Sequence, residues 1–170
     1  MDMSLFAQEY NRDAFRQIEP DGKLFKMWSN EHCARLYQLA SFEAYSVQIV
    51  ESMAAQLACF VDVGAHHGYY SMLVGSLAPN CKIVAFEAAA ENYITLKYNL
   101  EENHLGAAST YSCAISDLET TRDFYISTAS DNCGFIAHPA TPTQKIIRMQ
   151  AYPLDNFRQE MPEGPTLIKI

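Results

Sequence analysis

Between Phe60 and Tyr70 the sequence reads Phe-Val-Asp-Val-Gly-Ala-His-His-Gly-Tyr-Tyr, and that run carries three kinds of chemistry. An apolar stretch ends in an acid, Asp62. Two glycines, Gly64 and Gly68, stand four apart, with the adjacent histidines His66 and His67 between them. Glycines placed this way after a buried strand mark a chain turning around a small ligand. Glycine takes backbone angles that a side chain forbids, and it lets a ligand come close. The paired histidines raise a metal as the competing reading. Adjacent residues on a tight turn rarely point at one ion, and no third ligand of suitable spacing stands nearby, so no metal is expected. His66 is expected to line the ligand pocket, and His67 to face solvent or the N-terminal helices.

The spacing narrows the ligand. Dinucleotide-binding loops use G-x-G-x-x-G to approach a pyrophosphate, whereas this loop is G-x-x-x-G with a carboxylate two residues ahead of it. That carboxylate is poorly suited to a pyrophosphate but suits a ligand bearing an ammonium group. S-adenosylmethionine carries one on its methionine end, together with a sulfonium. Glu87 closes the next apolar run, where an acid can accept both ribose hydroxyls of an adenosine. Cys113-Ala114-Ile115 would then give adenine an apolar floor. Asp131, Asn132 and His138 fall in a long polar loop over the pocket mouth, for which an exposed loop is a simpler reading than a substrate role. Asp155 reads as a helix N-cap.

The surrounding elements must hold these residues at one edge. "ACFVDV" ending at Val63 and "KIVAFE" over 82–87 are short apolar runs suited to strands buried on both faces. "YYSMLVGSLA" after Gly68 and "ENYITLKYNLEEN" over 91–103 read as helices, and "STYSCAI" over 109–115 as a third strand. Strand, helix, strand, helix, strand is the order of right-handed βαβ units and a parallel sheet. The segments 123–127 and 145–152 read as further strands, and 165–170 as the start of another buried one. Residues 1–57 read as an N-terminal helical extension, with a helical piece around 4–18, a break at Pro20-Asp21-Gly22 and a long helix beyond.

The 170 residues are 49% hydrophobic, with ten Tyr and nine Phe, which fits a globular domain with a real core. A formal charge of −8 and only 12 scattered basic residues argue against a nucleic-acid partner. No apolar run approaches the roughly 18 residues of a membrane span, and the N-terminus carries no secretory signal. The five cysteines are odd in number and form no C-x-x-C pair, so neither a zinc ribbon nor a disulfide framework is signalled. A cytoplasmic protein is expected.

Five segments in order resemble the FkbM-type S-adenosylmethionine-dependent methyltransferases: "FVDVGAHHGYYSMLV", "KIVAFEAAAENYITLKYNLEEN", "CAISD", "PLDNF" and "PTLIKI". The family pattern has a VDVGAN-x-G loop, a strand ending F-E-P, an N-x-x-x-L-x-x-N helix, an A-x-S-D turn and a strand I-K-I-D-V-E-G. The resemblance covers roughly 58–170 and implies an α/β fold, a Rossmann-like class I methyltransferase sheet. It implies that Asp62, Gly64, Ala65, His66, Gly68, Glu87, Ala88, Cys113 and Ala114 surround the cofactor, with Asn92 supporting the loop after Glu87. Three departures stand out. His66 replaces the loop asparagine, Ala88 replaces the proline, and the sequence stops at Ile170 before the D-x-E-G segment, so the sheet is expected to be truncated at its C-terminal side. The implied activity is O-methylation of a small-molecule or sugar hydroxyl, with no catalytic base identified. The alternatives are a catalytically inactive cofactor-binding or interaction fragment and, less favoured for want of the middle glycine, an NAD-dependent oxidoreductase.

Overall fold

In a computed structural model, residues 15–20 and 22–170 are described, and the expected helical piece around 4–18 lies outside them except for its last turn. That turn is not helical. Phe15–Ile18 (β1) pairs antiparallel with Met27–Asn30 (β2), with Phe15 opposite Asn30 and Ile18 opposite Met27. The single long helix expected next divides into Glu31–Tyr37 (α1) and Ala44–Ala54 (α2). Asn30 starts the first by accepting the Cys33 amide at 2.9 Å, a side-chain N-cap. Glu43, with φ of 40°, carries the left-handed turn into the second.

The hairpin replaces a helix because its backbone finds partners far away in sequence. Asn99 accepts the Trp28 amide at 2.6 Å and donates to the Trp28 carbonyl at 2.9 Å. One helical turn on, Asn103 accepts the Lys26 amide at 3.2 Å and donates to the Lys26 carbonyl at 2.6 Å. Four residues of helix rise about 6 Å and two residues of strand about 6.6 Å, so two asparagines one turn apart match alternate residues of an extended chain. The side chains thus stand in for a neighbouring strand. Asn99 is fully buried and also donates to the His67 carbonyl at 2.8 Å. Asn99→Ala should therefore strip three backbone groups of partners and cost about 2–3 kcal/mol, to be read as a shift in the urea midpoint.

The central sheet runs in the order β5-β4-β3-β9, all parallel: Ser109–Tyr111, Lys82–Phe86, Cys59–Val63 and Thr166–Lys169. Helix α3 (Tyr69–Leu77) links β3 to β4, and α4 (Ala90–Glu102) links β4 to β5. This is the α/β architecture with a parallel central sheet expected from the apolar runs. Alternation along the strands divides the core. Phe60 and Ala85 face a cluster built from α2, α3, α4 and the hairpin, while Cys59, Val61, Val84 and Phe86 face Phe157 and Met161.

The expected third strand over 109–115 is broken. It bends at Ser112-Cys113, and Ala114–Ile115 (β6) leaves for a second sheet with Thr143–Tyr152 (β8) and Thr120–Ser127 (β7). The expected cap at Asp155 is also absent: Leu154–Glu160 is a 3₁₀ segment whose flanking residue is Pro153, and no side chain caps it. Among the described residues no helix is long and apolar enough to cross a membrane.

Candidate functional site

The carboxyl ends of β3 and β4 meet at the loop that opened the sequence reading. The loop is stitched to β4 at two points. The Ala65 amide donates to the Phe86 carbonyl at 2.9 Å, and the His66 amide donates to Glu87 Oε2 at 2.7 Å. Glu87 Oε1 takes the Ala89 amide at 2.8 Å, so this acid clasps the loops after both strands. Burial pushes its pKa up, while the amides of Ala89 and His66 and the side chain of Asn92 work against that shift. Each oxygen accepts one backbone amide and keeps capacity for a further donor.

Asp62 is fully buried at the end of β3. Its Oδ2 accepts the Ser71 hydroxyl at 2.7 Å, and its Oδ1 lies 3.3 Å from the Lys169 ammonium. Lys169 also donates to the carbonyls of Gly64 at 2.9 Å and Val63 at 3.3 Å. The end of β3 thus presents one carboxylate and two carbonyls to a single ammonium. Sequence reading missed Lys169, although the register gives it away: with β9 beside β3, Asp62 stands directly opposite Lys169.

The two glycines differ in what they do. Gly64 is exposed with φ of 66°, and a Cβ built there would meet nothing within 4 Å, so the space in front of it is open. Gly68, with φ of 91°, starts α3, and a Cβ there would come within 2.7 Å of Leu96 Cδ1. That close contact is with α4.

Both histidine rings hydrogen-bond to side chains of the protein. His66 hydrogen-bonds through Nδ1 with the Tyr37 hydroxyl at 2.8 Å and through Nε2 with Ser130 Oγ at 2.9 Å. Its backbone, not its ring, serves the loop. Of the two placements expected for His67, solvent is excluded: it is fully buried, with Nδ1 2.8 Å from Ser29 Oγ of the hairpin and a ring nitrogen within 4.8 Å of the Cys33 sulfur of α1. Burial holds His66 down to about 4 and His67 well below the usual imidazole value, so both rings are neutral at pH 7. Burial likewise pushes the thiol of neighbouring Cys33 up to about 11.

Ala88 and Ala114 meet in one small apolar cluster with Ala89, beside Glu87. Cys113 does not join them; it packs with Cys59, Val61, Val84 and Phe86. The expected apolar floor is therefore divided by the bend after β5. Asn92 donates to the Ser130 carbonyl at 3.1 Å, tying α4 to the turn that carries Asp131 and Asn132. A cleft of about 930 Å³ opens alongside, walled by Ala89, Asn92, Asn30, Ser127, Ser130 and Lys145 among others. His138 and Asp131 are not among its lining residues.

Residues 62–170, well over half of the chain, match the family model described as the methyltransferase FkbM domain. No curated protein matches the chain. Among solved structures it is similar to precorrin-6y C5,15-methyltransferase from Geobacter metallireducens, with 18% identity and a TM-score of 0.38 over 43% of this chain and 38% of that one. It is also similar to the O-methyltransferase from Bacillus cereus solved in complex with SAH, with 16% identity and a TM-score of 0.35 over 43% of this chain and 33% of that one. The chain thus spans between 33% and 38% of the length of these two proteins.

Proposed function

The chain belongs to the FkbM methyltransferase family, and from that premise we propose that it is an S-adenosylmethionine-dependent enzyme that O-methylates a small-molecule or sugar hydroxyl in the cytoplasm. One observation carries the cofactor assignment. The end of β3 holds an ammonium between the Asp62 carboxylate and the Gly64 carbonyl, next to a glycine with open space before it. The methionine end of the cofactor carries that same group, and the cofactor supplies an electrophilic methyl on its sulfonium.

The protein's part in this reading is positioning. Asp62 and the Gly64 carbonyl orient the amino-acid end, Glu87 has acceptor capacity left for ribose hydroxyls, and Ala88 with Ala114 offers an apolar surface beside them. The cleft lined by Asn30, Asn92 and Ser130 gives a polyhydroxylated acceptor hydrogen-bonding partners. Calorimetry with S-adenosylhomocysteine and with NAD tests the assignment. Heat with the first and none with the second is the expected result. Binding of NAD alone would overturn the reading in favour of an oxidoreductase, and binding of neither would leave the chain an inactive fragment.

A further inference from the structure

The cofactor reading makes no use of three side chains that the fold brings together. The Cys33 sulfur and one ring nitrogen each of His66 and His67 lie within 4.8 Å of one another. The histidines belong to the loop after β3, and the cysteine comes from α1, far off in sequence. It is the third donor that the sequence around the histidine pair lacks.

Two features set this group apart from ordinary packing. In each imidazole Nδ1 is held by a hydroxyl: Tyr37 for His66 and Ser29 for His67, both at 2.8 Å. Metal-binding histidines are anchored this way through one nitrogen, and the other nitrogen of His66 meets the Ser130 hydroxyl at 2.9 Å. The second feature is His67 Nε2, which is fully buried and makes no hydrogen bond. An orphaned buried nitrogen costs about 1–3 kcal/mol, a cost that an ion accepting its lone pair would remove.

We propose that Cys33, His66 and His67 bind a divalent ion of the zinc class. Two imidazoles and a thiolate, with no carboxylate among them, select a borderline-soft ion over magnesium or calcium. The fourth corner falls to Ser130, whose Oγ stands 2.9 Å from His66 Nε2 and 3.7 Å from Cys33 Sγ. Bonds of about 2.0–2.3 Å set tetrahedral edges near 3.5 Å, so loading draws the donors together by about 1 Å. The thiol S–H bond breaks, a metal–sulfur bond forms and the proton leaves to the buffer; the neutral histidines release none. The ion then pins α1 to the loop after β3.

The test uses the whole chain, stripped with chelator and titrated with Co²⁺. One equivalent should produce a thiolate-to-cobalt charge-transfer band and the strong visible absorption of four-coordinate cobalt, both abolished by Zn²⁺. Cys33→Ser should lose the charge-transfer band while Cys81→Ser, a buried cysteine elsewhere, keeps it. Calorimetry of Zn²⁺ binding in buffers of different ionisation enthalpy should count one proton released per ion, a readout that needs no variant to fold. A wild-type protein that gives no charge-transfer band, a band that survives in Cys33→Ser, or binding without proton release overturns the proposal.

Discussion

Asp62→Ala is expected to weaken S-adenosylhomocysteine binding about 100-fold, because a charge-assisted hydrogen bond in a buried site is worth about 1.5–3 kcal/mol. The side chain is fully buried and its Oδ1 already faces an ammonium, so the carboxylate is aimed and desolvated before any ligand arrives. That preparation also sets a competitor. Lys169 occupies the Asp62 and Gly64 acceptors that the amino-acid end of the ligand would use. Its side chain keeps 27% exposure, so it can swing to solvent at modest cost. Lys169→Met should accordingly tighten binding, since it leaves a buried carboxylate unpaired until the ligand arrives. Measured by calorimetry, the two substitutions move affinity in opposite directions. Equal affinity in wild type and Asp62→Ala would place the ammonium site elsewhere.

That site was half legible in the sequence. "FVDV" and "KIVAFE" declare two-sided burial, and two such runs separated by helical periods force neighbouring parallel strands whose ends must meet. Asp62 and Glu87 therefore lie at the carboxyl ends of neighbouring parallel strands. What local pattern does not display is any partner set by distant pairing. "FRQI" and "MWSN" show no alternation strong enough to announce a hairpin, because its outer edge is satisfied by Asn99 and Asn103 from a helix many residues on. The full burial of His67 was hidden for the same reason: it depends on that hairpin, through Ser29. Cys113 failed differently. The run "STYSCAI" reads as one strand, yet its two halves pair with strands of different sheets. Lys169 was within reach, since placing the terminal strand beside the first sets it opposite Asp62.

Gly68→Val is expected to be the most disruptive single change in the loop, at about 2–5 kcal/mol. Two independent costs add. With φ of 91° the residue lies where a β-branched side chain is strained, which costs about 1–2 kcal/mol. A Cβ there would also come within 2.7 Å of Leu96 Cδ1, and Leu96 is fully buried in the core between α3 and α4. Overpacking of this kind costs about 1–3 kcal/mol. The two terms can be separated, because only the second depends on Leu96. Leu96→Ala alone removes core volume and should cost about 2–5 kcal/mol. In the double variant the new side chain fills part of that cavity, so the combined loss should fall short of the sum of the two single losses by about 1–2 kcal/mol. Urea denaturation of the four proteins gives the cycle. Strict additivity would mean that the backbone angle alone demands glycine, and that the contact between Gly68 and Leu96 places no constraint on how the loop meets α4.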